Sequence, residues 1–137
     1  MDDCVFCKIV KKEIPATVIY ENEKILAFLD ISPINFGHTL VIPKKHFPNI
    51  YETPDEELCA MTTVAKKIAQ AIRDALVADG VNIAMNNNHA AGQLVFHSHL
   101  HVIPRFTNDG YEPWRSRKPY KENEAVSVAQ KIKESLK

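Results

Sequence analysis

Cysteine is scarce in this chain. Three residues in 137 are too few, and odd in number, for a disulfide framework. An excess of charge of one sign is also missing. Seventeen Lys and Arg balance seventeen Asp and Glu, which argues against a protein that tracks a nucleic-acid backbone with a clustered basic surface. A single nucleotide remains admissible, because neutral donors can hold its phosphate. No apolar run reaches membrane-spanning length. Met1-Asp2-Asp3-Cys4 lacks the basic and apolar regions of a secretory leader. Repeats and low-complexity stretches are absent as well. What remains is 45% apolar and 25% charged residues, globular values that suit one domain spanning 1–137 with a real core. The expectation is a cytoplasmic protein with no membrane partner.

Histidine is what the chain has in an unusual place. His97, His99 and His101 stand at every second position within residues 92–105. Residues i, i+2 and i+4 share one face of a β-strand, so three imidazoles are expected in a row. Phe96, Leu100 and Val102 should then face the core, with only Ser98 spoiling that face. Pro104 is expected to close the strand, since it gives the ladder no N–H.

Elsewhere, residues 4–12 read as a short helix stopped by Pro15. Residues 16–21 and 24–29 read as a hairpin around Asn22. A turn-rich loop over 30–37 leads into a strand at 38–43. One long helix is predicted, with Thr53 as N-cap, Pro54 in the first turn and Glu56 completing a capping box. Leu58, Met61, Ala65, Ile68, Ile72 and Leu76 form its apolar stripe, and Gly80 suits its left-handed end. A strand over 81–85, the histidine strand, a loop and a short amphipathic helix over 124–136 complete an α+β fold. Its sheet should meander and be mostly antiparallel, with 106–137 as a C-terminal loop-and-helix extension.

His97-Ser98-His99-Leu100-His101-Val102-Ile103 resembles the motif of the histidine triad (HIT) family. So do Phe6-Cys7-Lys8-Ile9, Glu13-Ile14-Pro15, residues 27–33, Gly37-His38-Thr39-Leu40-Val41-Ile42-Pro43-Lys44-Lys45-His46 and Gly92-Gln93, in register. The likeness is to that family's nucleotide-binding, zinc-containing branch. It implies a homodimer with a continuous sheet and a purine nucleotide substrate. The implied activity is hydrolysis or nucleotidyl transfer on phosphoramidates, dinucleoside polyphosphates or nucleotidyl sulfates.

By the same resemblance His99 is the nucleophile, and His101, His38 and Gln93 assist at the phosphate. Asn86 touches phosphate or ribose, Asp30 reads the ribose hydroxyls, and Ile31, Phe6, Ile9 and Ile14 wall the base. Imidazole suits the task, being neutral near its pKa of about 6.5 and a good leaving group afterwards. Its second ring nitrogen must be held protonated, most simply by a backbone carbonyl. Leu94 stands where some phosphoramidate-cleaving relatives carry a hydroxyl, which weakens that assignment.

Cys4-x-x-Cys7 alone admits free thiols or a redox pair. Zinc-containing relatives complete a four-ligand site with residues matching His46 and His97, which implies structural zinc on Cys4, Cys7, His46 and His97. Cys59 reads as a buried thiol, and His89 as a rim residue. Two rivals stand beside the nucleotide enzyme. One is a metal-dependent hydrolase, for which the triad segment lacks a carboxylate. The other is a non-catalytic nucleotide-binding or adaptor protein. Tyr111 to Lys121 mixes aromatic and basic residues but reads as a solvated loop.

Overall fold

Two stretches, Ile25–Leu29 (β2) and Thr39–Pro43 (β3), are buried almost throughout. Successive side chains on a strand point to opposite faces, so the sheet must be covered on both sides there. In the computed structural model, which describes residues 3–112 and 114–137, it is. The order is α1 (Val5–Val10), β1 (Val18–Glu21), β2, β3, α2 (Asp55–Leu76), β4 (Gly80–Ala84), β5 (Leu100–Arg105) and α3 (Glu124–Ser135). The five strands form one antiparallel sheet in the order β1-β2-β3-β5-β4. The α+β expectation stands.

Ile25, Ala27, Val41, Leu100 and Val102 pack on one face against Met61, Val64, Ala65, Ile68 and Ile72 of α2. Leu26, Phe28, Leu40 and Ile42 pack on the other against Phe6 of α1. Each large apolar side chain so buried contributes about 1.5–3 kcal/mol. The 22-residue α2 covers its face broadly, whereas the six-residue α1 covers only part of the other. The histidines stand beside α1 on that face, with His38, His97 and His99 themselves buried.

Several local expectations shift. The histidine segment becomes strand only at Leu100. His97 and His99 precede it in an extended approach, because the Ser98 N–H goes to Phe47 O at 2.6 Å instead of to a ladder. Phe96 is not in the core: it is 37% exposed and lies against the His89 ring. Pro104 does not close β5 but sits inside it. Strand β4 continues to pair at Val81↔Pro104. The Pro104 carbonyl, however, turns to Asn35 on the β3 side, where the ladder has ended at Thr39↔Val102, so the missing N–H breaks no ladder bond. Ser98 lies on the packed side and is satisfied there by the Thr53 hydroxyl at 2.8 Å.

Thr53 is therefore not the N-cap of α2. Pro54 occupies that position without a side-chain bond, and Glu56 pairs with Lys24. The helix ends earlier than Gly80, through Val77 in the left-handed region (φ 54°), and Gly80 opens β4. Likewise α1 ends before Pro15, at Lys11, with Lys12 at φ 64°. Cys59 is exposed. The helix α3 has no buried residue. The 106–123 segment holds no helix or strand among the described residues, and Pro113, like Met1-Asp2 of the N-terminal reading, lies outside them.

Candidate functional site

Leu40 and His101 are cross-strand partners, so His101 shares the α1 face with Leu40. The His99 ring follows, 5.0 Å from that of His101 and edge-on to Phe6 at 5.1 Å. The His97 ring also meets Phe6, at 5.9 Å. The three imidazoles do occupy one side of the segment, but their hydrogen bonds give them different tasks.

His99 Nδ1 lies 2.6 Å from the carbonyl oxygen of His97. An oxygen only accepts, so Nδ1 carries the proton and Nε2 keeps its lone pair. The tautomer of His38 is set from the other direction. The Ile34 N–H donates to His38 Nδ1 at 3.1 Å, which leaves the proton on Nε2. That Nε2–H then donates to His101 Nδ1 at 2.9 Å, and a neutral His101 must hold its own proton on Nε2. Adjacent rings therefore present opposite functions: His99 a lone pair, His101 an N–H.

Burial pushes all three rings toward the neutral form. His38 and His99 are shifted down, and His101, with His99 and His38 beside it, falls to about 4. The Asp30 carboxylate, 3.7 Å from His38 Nε2, pulls the other way and is outweighed. Asp30, His38 and His101 also lie close enough to suggest a cation site. The Ile34 N–H argues against it, because a metal on His38 Nε2 needs the lone pair that this donor keeps on Nδ1.

The remaining sequence-predicted residues divide. Asp30 accepts the Ser32 N–H on Oδ1 at 2.8 Å and is 20% exposed, so it has acceptor capacity left for hydroxyls. Asn86 is half-buried and lies beside Gly92, whose φ of +90° disfavours any side chain there. Phe6 is core, Ile9 packs on that core, and Ile14 is half-buried. Ile31 is 98% exposed and walls nothing in this chain alone.

Gln93 is turned away from the histidines. Its amide N–H groups donate to Pro48 O at 2.6 Å and Val95 O at 3.0 Å, and its Oε1 accepts the Asn88 N–H at 2.7 Å. At 1% exposure it braces the loop beneath the site. It has no N–H left for a phosphate.

At the far end of the row, the described residues bring together the four positions expected to hold zinc. His97 Nε2 donates to Pro43 O at 2.7 Å, so its Nδ1 lone pair points at Cys4 Sγ (3.5 Å), Cys7 Sγ (3.5 Å) and His46 Nδ1 (3.2 Å). Cys7 Sγ lies 3.4 Å from His46 Nδ1. A tetrahedral Zn²⁺ with bonds of about 2.3 Å to sulfur and 2.0–2.1 Å to nitrogen requires ligand separations of about 3.3–3.8 Å. The residues fit. Burial, with Cys4 alongside, pushes the Cys7 thiol up, a shift that a bound cation reverses by favouring thiolate.

Sequence reasoning missed the backbone and loop groups that aim these rings. Pro43 O and the Ile34 N–H carry no residue-type signal, since main-chain carbonyls and N–H groups are common to nearly every residue. Asn35, within the turn-rich loop over 30–37, carries no sequence signal that separates it from an ordinary turn residue.

Comparison with known proteins identifies the family. The HIT domain family model matches residues 11–108. A crystal structure of a HIT family member from Bacillus subtilis superposes with a TM-score of 0.90 at 42% identity, covering 98% of each chain. A Zn-bound histidine triad family protein from Mycobacterium smegmatis gives a TM-score of 0.78 at 44% identity, covering 98% of this chain and 99% of that one. The adenylylsulfatase HINT3 of Arabidopsis thaliana is 44% identical over 108 residues, 79% of this chain and 55% of that protein. With the triad, the sheet order and the matched length in agreement, this chain belongs to the HIT family.

Proposed function

We propose that this protein is a nucleotide phosphate hydrolase or nucleotidyl transferase acting through a covalent nucleotidyl-His99. The observation that carries the reading is the 2.6 Å bond from His99 Nδ1 to the His97 carbonyl, which leaves Nε2 as an uncharged nucleophile beside an N–H donor. In the first displacement Nε2 forms a bond to the α-phosphorus, and the bond from phosphorus to the leaving group breaks. The ring then has both nitrogens substituted and carries positive charge, which the negative end of the His97 carbonyl dipole stabilises. His101 Nε2–H donates to the phosphoryl oxygens as their charge grows. In the second displacement water takes the place of His99 on phosphorus, and its proton is lost as the new phosphate ionises.

Asp30 reads the ribose hydroxyls in this proposal, and Asn86 contacts the phosphate. A cavity of about 500 Å³ lined by Ala84, Ile103 and Trp114 among others adjoins His101, whose cross-strand partner is Ala84. It offers room for a leaving group of amine, sulfate or nucleotide class. A purine base would pack at the Phe6 end. Zn²⁺ held by Cys4, Cys7, His46 and His97 supplies structural cross-linking. It joins the N-terminal helix to the catalytic segment and leaves His99 free. A homodimer belongs to the same reading, since β4 has one unpaired edge and Ile83 stands exposed on it. No described helix is long and apolar enough to cross a membrane.

The test is a panel of adenosine and guanosine phosphoramidates, sulfates and dinucleoside polyphosphates assayed on wild type and His99→Ala. Loss of turnover with retained binding of AMP or GMP is expected. Equal activity in the two proteins refutes the mechanism, and binding without turnover in wild type leaves a nucleotide-binding protein.

A further inference from the structure

We propose that Asn35 is a positioning residue that fixes which way the histidine protons point, an inference that rests on the nucleotidyl-transfer reading. Asn35 touches none of the triad rings. Its side-chain amide donates one N–H to Pro104 O and the other to Asp109 Oδ2, both at 2.9 Å. Its own carbonyl accepts the His38 N–H at 3.0 Å. The loop between β2 and β3 is thereby fastened to the end of β5 at a point one residue from Ile34.

The fastening point is itself rigid. Asp109 receives Arg105 through two N–H···O bonds of 2.8 Å and also accepts the Phe106 and Tyr111 N–H groups at 3.1 Å. The Arg105 guanidinium holds the Asp109 carboxyl well below the usual carboxylate range. Gly37 adds a steric clamp. Its φ is +100°, and an added Cβ would meet Leu76 Cδ1 at 2.5 Å and Pro104 Cγ at 3.2 Å.

The consequence runs through three hydrogen bonds. With the loop fastened, the Ile34 N–H faces His38 Nδ1, His38 donates from Nε2, and His101 is left donating from its own Nε2. If the loop relaxes, that N–H withdraws and His38 is free to move its proton to Nδ1. His101 Nδ1 then becomes the donor in the pair, and a neutral His101 presents a lone pair to the anionic phosphate. A donor becomes a repulsive acceptor without any change at the triad itself. His99 is unaffected, because its proton is held by His97 O.

The experiment uses zinc-loaded, ¹⁵N-labelled full-length chain, with long-range ¹H–¹⁵N spectra reporting which nitrogen of each ring is protonated. Wild type should show His38 and His101 protonated on Nε2 and His99 on Nδ1. In Asn35→Ala, His38 and His101 should shift toward the Nδ1–H form while His99 keeps its signature and serves as the folding control. In the same variant kcat should fall by on the order of 10²-fold, with KM changed by less than about twofold. Asp109→Asn, which loosens the anchor and keeps its size, should move the same signals in the same direction by less. It decides the matter if Asn35→Ala does not fold. Unchanged His38 and His101 tautomers in the folded variants, or a loss of kcat without a tautomer change, overturn the proposal. If wild type turns over none of the panel, the enzymatic reading falls, while the ring spectra still decide the role of Asn35.

Discussion

His97 and His99 use one device to opposite ends. Each ring donates one N–H to a backbone carbonyl, His97 Nε2 to Pro43 O at 2.7 Å and His99 Nδ1 to His97 O at 2.6 Å. Because the donating nitrogen differs, the free lone pair is Nδ1 in one ring, facing two thiols, and Nε2 in the other. His97, proposed as a zinc ligand, thus supplies the carbonyl that orients the proposed nucleophile His99.

That link makes metal content a first test. Protein purified without added metal should carry about one zinc per chain by elemental analysis. Cys4→Ser should lower that content and reduce Tm by roughly 8–15 °C, equivalent to about 2–4 kcal/mol at this chain length. A metal-free protein with an unchanged melt removes zinc from the account.

Gln93 separates the structural view from the resemblance. With its donors spent on Pro48 and Val95 and its oxygen on Asn88, Gln93→Leu should cost about 2–4 kcal/mol in urea unfolding by leaving buried partners unsatisfied. A variant with wild-type stability and a raised KM would return Gln93 to the phosphate.

The buried Ser98–Thr53 pair predicts non-additivity. The Thr53 hydroxyl donates to Asn49 O at 2.7 Å, so the Ser98 hydroxyl donates to Thr53. Thr53→Val should cost about 1–2 kcal/mol by leaving the buried Ser98 hydroxyl without its acceptor, and Ser98→Ala should cost less, since Thr53 keeps Asn49 O. The double variant should cost about 1 kcal/mol less than the sum. Simple additivity in denaturant titrations would show that the hydroxyls do not depend on each other.

His101 gives the pH dependence its sign. It is pushed to about 4 by burial and its histidine neighbours, against about 6.5 in an unfolded chain. Between those values the unfolded state binds more protons, so stability rises with pH across the window and is lost as pH falls from 6.5 toward 4. The slope from this one group is at most about 1.4 kcal/mol per pH unit. His101→Asn should reduce the slope of the stability profile over pH 4–6.5 without abolishing it, because burial also pushes His97 to about 4 and lowers His38, His46 and His99. An equally steep profile in that variant would place the titration elsewhere.

Much of this molecule was legible in its residues. Alternation alone put three imidazoles on one side, and the apolar runs over 24–29 and 38–43 announced strands. The spacing of Met61, Ala65, Ile68 and Ile72 marked the buried stripe of α2. These are periodic signals, and periodicity survives in one dimension. Helix ends were less legible: Thr53 had the right chemistry for a cap, but a buried Ser98 competed for its hydroxyl.

Residue type and spacing by themselves determined the fold class, the row of histidines and the family likeness. The resemblance, not spacing, brought Cys4, Cys7, His46 and His97 forward as one ligand set. Only the tertiary structure decided which nitrogen of each ring is bare, that Gln93 looks inward, and that Asn35 ties the His38 loop to β5. The reason is physical: a tautomer is set by a hydrogen-bond partner, and here those partners are backbone groups such as the Ile34 N–H and the Pro43 carbonyl. Every residue but proline carries both groups and proline keeps its carbonyl, so only their placement in space distinguishes them.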